Sequence, residues 1–127
     1  MSKHVVVWID HKEARIFCLH PEGSEEATVV APLHNIHHKH PRGQEGEKDH
    51  PDDAKRFFHA VVQGLEGAEE VLLVGPGTAK LQFFRYVQKH EHALEPKVIG
   101  IETVDHPTDG QAVAYARKYF KRSERMQ

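Results

Sequence analysis

The sequence has little of what stabilises small extracellular domains or anchors proteins in membranes. Its 127 residues include one cysteine, Cys18. An internal disulfide is therefore excluded, and a reducing compartment such as the cytoplasm is the expected environment. The apolar run from Val5 to Ile9 is much shorter than a signal-peptide core or the roughly 20 residues that span a bilayer. We expect a cytoplasmic protein with no membrane partner.

The chain also lacks a large excess of charge of either sign. Lysine and arginine total 17 and aspartate and glutamate total 19, giving a net charge of −2 with neutral histidines. This balance argues against a uniformly basic nucleic-acid coat. The hydrophobic content of 39% and the aromatic content of 8% are typical of an ordered globular protein. We expect a single domain over residues 1–127 with a substantial core.

The first third of the chain carries three β-rich segments. His4 to Asp10 and Arg15 to Leu19 are predicted strands, separated by the polar break His11 to Ala14. The turn Pro21 to Ser24 and the run Ala27 to Ala31 predict a third strand. These segments indicate an antiparallel meander.

Helices and strands alternate in the second half. A helix from Pro51 has one apolar face, formed by Ala54, Phe57, Phe58, Val61, Val62 and Leu65. Strands are predicted at Val71 to Val74 and at Lys97 to Val104. Between them, Thr78 is expected to cap a helix that runs to about Leu94. A last helix from Thr108 has a predicted buried face of Ala112, Tyr115, Ala116, Tyr119 and Phe120.

This order of elements predicts an α/β fold. The antiparallel three-strand start followed by βαβα gives a mixed five-stranded sheet with packed helices, the general layout of ribonuclease H-like domains. Cations at the end of the last helix are interpreted as complementing the helix dipole: Arg117, Lys118, Lys121, Arg122 and Arg125.

Residues 33–51 show neither strand nor helix periodicity and predict a long exposed loop. Loops of this length in compact domains are often functional. Its centre reads Lys39-His40-Pro41-Arg42-Gly43-Gln44. Lys55 and Arg56 follow shortly after it, so this region holds the candidate contacts to phosphate groups. Because Glu45, Glu47 and Asp49 offset the basic residues of the loop, a solvated loop of mixed charge is the competing interpretation.

Three motifs give the chain a family resemblance. They are the Lys39 to Gln44 loop, the pair Arg56-Phe57 in the following helix, and Val74-Gly75-Pro76-Gly77 at a strand end. In this order they resemble the middle domain of the archaeal and eukaryotic class I release factor and pelota family. The resemblance covers most of the chain. It implies a translation-associated domain that contacts ribosomal RNA or transfer RNA on the ribosome, alone, as a homodimer, or with a partner chain supplying further domains.

The resemblance also gives Gln44 a conditional role. In hydrolytic members the corresponding glutamine helps place a water against the peptidyl-tRNA ester, after two adjacent glycines. Here Arg42 directly precedes Gly43, and arginine is strained wherever φ is positive. We expect no efficient hydrolysis and assign RNA contact to Lys39, His40, Arg42, Gly43, Gln44, Lys55 and Arg56.

Histidines in the same loop suggest a second chemistry. Imidazole nitrogens are ligands for zinc, nickel or copper, and four lie close together in sequence: His34, His37, His38 and His40. No Cys-x-x-Cys or His-Glu-x-x-His spacing accompanies them, and histidine-rich loops often bind metal adventitiously. No cofactor is expected.

A third hypothesis is a metal-dependent nuclease or hydrolase. Asp10 follows the first strand, while Glu102 and Asp105 lie at the end of the last one. Ribonuclease H-like nucleases gather carboxylates at such strand ends to hold two cations. Aspartate is also favoured in turns for local hydrogen bonding alone. A small homodimeric interaction module remains a further alternative.

Two other motifs have structural explanations. Asp109-Gly110-Gln111 looks like a degenerate release-factor tripeptide, but Thr108 and Gln111 have the spacing of a helix capping box. Gly75-x-Gly77-Thr78-x-Lys80 looks like a phosphate loop without its Gly-Lys-Ser/Thr ending, so it predicts only a tight strand-to-helix turn.

Overall fold

The computed structural model describes residues 4–31 and 51–125 of the chain. Its elements in chain order are β1 (His4–Ile9), β2 (Glu13–His20), β3 (Gly23–Val30), α1 (Pro51–Gly64), β4 (Glu70–Gly75), α2 (Ala79–His90), a short 3-10 helix (Glu95–Lys97), β5 (Val98–Thr103) and α3 (Asp109–Arg125). Within the described residues, no helix is long and apolar enough to cross a membrane.

The strands form one mixed sheet in the order β3-β2-β1-β4-β5. β1 lies at the centre, antiparallel to β2 and parallel to β4, so that Val7 is paired with Ile16 on one side and Leu73 on the other. β3 is antiparallel to β2, and β5 is parallel to β4. The predicted α/β class and the mixed five-stranded sheet are confirmed, and the arrangement is compatible with a ribonuclease H-like layout.

Both faces of the sheet are covered. Alternate residues of β1 point to opposite faces, so Val5, Val7 and Ile9 join the core beneath α1 and α2. Val6 and Trp8 join the core beneath α3. An uninterrupted apolar run is expected of a strand that is buried on both sides.

Turn chemistry accounts for differences from the predicted boundaries. β2 begins at Glu13 rather than Arg15, because Asp10 closes a tight turn before it. The Asp10 amide donates a hydrogen bond to the Glu13 carbonyl at 3.0 Å. Asp10 Oδ1 accepts hydrogen bonds from the amides of Lys12 and Glu13 at 2.8 and 2.9 Å. β3 begins at Gly23, since Pro21 and Glu22 alone form the hairpin loop.

The second half shows two further local differences. α2 ends at His90 rather than near Leu94, and a 3-10 helix leads into β5. Ala54, predicted on the buried face of α1, is exposed. Gly67 has a φ of 89°, a left-handed conformation that suits glycine where the chain leaves α1 for β4.

Gly75 allows a close approach between two strands. A Cβ at this position would collide with the Ile9 carbonyl oxygen of β1. The Gly75 carbonyl also accepts the Val104 amide at 3.1 Å. The end of β4 therefore requires a residue without a side chain.

Candidate functional site

The parallel strands β1, β4 and β5 end at one edge of the sheet. At this edge lie the turn after β1 and the Gly75–Thr78 turn that leads into α2. β3 also ends there, since the Ala31 amide donates to the Lys12 carbonyl at 2.9 Å. We call the surface formed by residues 10–12, 31, 51–56 and 76–82 the carboxyl-edge surface.

α1 also begins at this edge. It precedes β4, which is parallel to β1, so the helix runs back from the carboxyl ends of these strands toward their amino ends. Phe58, in the second turn of α1, meets Phe83, in the second turn of α2, with ring centroids 5.6 Å apart. The described chain therefore leaves at Ala31 and returns at Pro51 on the same surface.

Lys55 and Arg56 lie on the solvent side of the start of α1. The apolar spacing of this helix buries the next two residues, Phe57 and Phe58, and leaves both cations exposed. The Arg56 side chain is 75% exposed and its Nη1 lies 3.5 Å from Asp53 Oδ1. This contact is at the limit of hydrogen-bond distance, so the guanidinium keeps donors available for a ligand.

The other predicted loop residues lie outside the described part of the chain. These are the RNA-contact candidates Lys39, His40, Arg42, Gly43 and Gln44 and the metal-ligand candidates His34, His37 and His38. Both hypotheses stay predictions. The structure contributes the place where this segment joins the fold, at the carboxyl-edge surface beside Lys55 and Arg56.

The rest of the carboxyl-edge surface adds polar groups that the sequence did not single out. His11 Nε2 lies 3.3 Å from Gln82 Oε1, joining the turn after β1 to α2. Lys12 is exposed, whereas Asp10 and Asp53 are half-buried. No local sequence signal pairs His11 with Gln82, because the contact depends on the register of β1 against β4.

The structure does not assemble the three carboxylates of the nuclease hypothesis. Asp10 uses Oδ1 for the turn after β1, while Asp105 is exposed beyond β5 and its carbonyl accepts the Trp8 indole N–H at 2.8 Å. Among residues 4–31 and 51–125, no group of three or more histidine, cysteine or carboxylate side chains is placed to hold a metal. The placement of Asp10, Glu102 and Asp105 gives no cation site.

The two structurally explained motifs behave as predicted, with one difference. The Thr108 amide donates to Gln111 Oε1 at 2.9 Å and the Gln111 amide donates to Thr108 Oγ1 at 3.1 Å, which is the capping box. At α2, however, Thr78 makes no side-chain cap. Lys80 is buried there, and its ammonium donates to the Gly77 carbonyl of the preceding turn.

A charged network joins the start of α3 to the sheet. Arg15 bonds Glu13 Oε2 through Nε at 3.1 Å and Asp109 Oδ1 through Nη1 at 3.2 Å. It also lies over the Trp8 ring, 5.3 Å from the centroid. A hydrogen bond with Asp109, assisted by desolvation and the negative charge of Asp109, raises the pKa of Glu26. Three carboxyl groups, those of Glu13, Glu26 and Asp109, therefore lie around Arg15 at this corner of the fold.

The largest correction to the predicted core concerns α3. Tyr115 and Tyr119, predicted on its buried face, are only half-buried. They line an open groove together with Gln111, Ala114, Lys118 and Arg122. The sequence missed this groove because helical periodicity does not reveal that β5, the strand nearest to it, is the edge of the sheet.

Comparison with known proteins supports the resemblance seen in the sequence. No model of a protein family matches the chain. A curated relative, the pelota homologue of Thermococcus onnurineus (strain NA1), is 27% identical over 104 residues, which cover 77% of this chain and 27% of the relative. The chain thus spans about a quarter of that relative's length.

Solved structures share the fold. The pelota of Archaeoglobus fulgidus has a TM-score of 0.53 and 18% identity, covering 83% of this chain and 26% of that one. The archaeal translation termination factor aRF1 has a TM-score of 0.55 and 18% identity, with coverages of 91% and 34%. Dom34 of S. cerevisiae, a translation termination-like factor involved in RNA quality control pathways, has a TM-score of 0.56 and 10% identity, with coverages of 90% and 31%.

Proposed function

We propose that this chain, which is similar to pelota in sequence and shares its fold with pelota and the archaeal termination factor aRF1, is a translation-associated domain that binds the ribosome in the cytoplasm. The similarity to pelota over 104 residues, together with the shared fold, is the observation that carries the proposal. Its ligand is ribosomal or transfer RNA. The chain acts as one module, alone or beside a partner chain that supplies further domains.

The RNA contact is assigned to the loop residues and the start of α1. The loop part of this assignment is the set predicted from the sequence, Lys39, His40, Arg42, Gly43 and Gln44. Exposed Lys55 and Arg56 support the assignment, because they lie where the loop segment rejoins the fold. Cations on one surface contact phosphates without reading sequence, and each contact makes binding more sensitive to salt.

Binding, rather than ester hydrolysis, is the proposed activity. Gln44 follows Arg42-Gly43 where hydrolytic members of the family have two glycines before the glutamine. The arginine restricts the backbone that would aim the glutamine at a water. Peptidyl-tRNA incubated with the chain and ribosomes should therefore stay intact. Hydrolysis by the native sequence that is lost in Gln44→Ala would contradict this part of the proposal.

Cosedimentation with ribosomes across a salt series tests the proposed surface. The native chain is compared with Arg42→Ala/Gln44→Ala and with Lys55→Ala/Arg56→Ala. If Lys55 and Arg56 each meet one phosphate, their removal should weaken binding and lower the slope of log affinity against log salt by about 1.4 to 1.8.

The matched control removes two exposed cations elsewhere. Lys89 lies in the last turn of α2 and Lys97 in the 3-10 helix before β5, both away from the carboxyl-edge surface. Lys89→Ala/Lys97→Ala changes the net charge by the same amount and should leave ribosome binding close to that of the native chain. No ribosome binding at low salt, or an equal loss in the control, would refute the proposed surface.

A further inference from the structure

The outer side of α3 carries a groove of about 370 Å³. Its lining residues are three or four positions apart along the helix: Gln111, Ala114, Tyr115, Lys118, Tyr119 and Arg122. α3 packs on the face of the sheet opposite to α1 and α2. The groove is therefore separate from Lys55 and Arg56.

Both tyrosines are held by the fold on one side. Tyr119 lies over Gly100 of β5, where an added Cβ would collide with the tyrosine hydroxyl and would also crowd Leu72. Tyr115 borders a small apolar pocket with Val74 and Pro107. Both residues are half-buried, so part of each side chain contacts the protein and part is accessible from the groove that they line.

The groove has a local excess of positive charge. Residues 110–122 contain four cations and no carboxylate in a chain whose net charge is −2. Arg117 is engaged, since its Nη2 donates to the Gly23 carbonyl at 2.8 Å. Lys118 and Arg122 are exposed and line the groove.

One carboxylate faces this region from the sheet. Burial and the negative charge of half-buried Glu102 both raise the pKa of Tyr115. The phenol is therefore neutral at physiological pH and does not repel an anion. The groove combines two aromatic rings with cations at its rim.

We propose that this groove binds single-stranded RNA, with bases stacked on Tyr115 and Tyr119 and phosphates paired with Lys118 and Arg122. Proteins that hold single strands combine a cationic groove with aromatic rings. Four residues advance about 6 Å along a helix, nearly twice the ~3.4 Å spacing along one strand of a duplex. The two rings thus fit bases that are separated from each other. Along the helix the rings of Tyr115 and Tyr119 alternate with the cations Lys118 and Arg122. This order matches the bases and phosphates of a nucleic-acid strand better than it matches an acidic peptide, which offers carboxylates without bases.

Fluorescence anisotropy with the full chain tests this site. The probe is a labelled, unstructured single-stranded RNA of about 12 nucleotides, compared with a duplex of the same length and with a labelled polyglutamate peptide. Tyr115→Leu should weaken binding of the single strand by at least about 5-fold, while Tyr115→Phe should keep it. Lys118→Gln/Arg122→Gln should lower the salt slope by about 1.4.

A matched control variant separates the groove from a general effect of positive charge. Lys89→Gln/Lys97→Gln removes the same charge outside the groove and should retain the native affinity for the single strand. Lys118 and Arg122 are exposed, so their double variant tests the site even if Tyr115→Leu disturbs packing.

Several results would overturn the proposal. These are no binding of the single strand, equal affinity for the duplex, binding of polyglutamate instead of RNA, or equal losses in the groove variants and the Lys89→Gln/Lys97→Gln control. Because the probe contains no ribosome, a failure here leaves the cosedimentation result standing, and the reverse is also true.

Discussion

Gly75 and Gly77 occupy one turn but should respond oppositely to alanine. A Cβ at Gly75 would collide with the backbone oxygen of Ile9, which cannot rotate away as the end of a side chain can. Overpacking of this kind costs about 1 to 3 kcal/mol. At Gly77 nothing lies within 4 Å of an added Cβ, and φ is not positive. Alanine at this position restricts the unfolded chain and should therefore raise the free energy of unfolding by up to about 1 kcal/mol.

Thermal unfolding followed by circular dichroism measures the difference. For a chain of this length, the unfolding entropy per residue gives a change of about 4 °C per kcal/mol. Gly75→Ala should therefore lower Tm by about 4 to 11 °C, whereas Gly77→Ala should leave Tm unchanged or raise it by up to about 4 °C. Equal Tm values for the two variants would refute the argument that the approach of β1, rather than the turn itself, requires Gly75.

Other residues give further predictions. Glu26→Gln should stabilise the chain at neutral pH. Because the pKa of Glu26 is raised in the folded protein, folding stability falls as pH rises above the ordinary glutamate range. The Tm of the variant should therefore exceed that of the native chain by an amount that grows with pH and vanishes in acid. A pH-independent difference would contradict this sign. Thr108→Ala removes the side-chain cap of α3 and should lower the free energy of unfolding in urea by about 1 kcal/mol. Gln111→Ala should lower it by less. An unchanged urea midpoint in both variants would argue against the capping box. Phe83→Ala, at a fully buried position, should cost about 3 to 5 kcal/mol; a loss below 1 kcal/mol would mean that the site relaxes almost completely.

The sequence predicted most of the fold because its patterns are local. The apolar runs of β1 and β4 and the helical spacing of Phe57, Phe58, Val61 and Leu65 indicate element type directly. The early start of β2 depends on a hydrogen-bonded Asp10 turn. Such boundaries depend on contacts that periodicity does not encode.

The candidate sites were less predictable because they depend on how elements pack. The exposure of Lys55 and Arg56 could be predicted from the helical spacing of the apolar residues in α1, because these two residues lie outside the apolar face. The groove beside Tyr115 and Tyr119 depends instead on the position of β5 at the edge of the sheet and on the missing side chain of Gly100. The pairing of Glu26 with Asp109 joins residues far apart in sequence, which no local pattern reveals.

The central position of β1 has a consequence during synthesis. Its residues Val5 to Ile9 are all buried, and the strand that covers one of its edges, β4, begins only at Glu70. At about 5 to 20 residues per second, a ribosome needs roughly 3 to 12 s to make the intervening chain. During that time β1 can pair with β2 but presents an open, strongly apolar edge. The nascent chain is therefore most prone to aggregate before β4 has been synthesised.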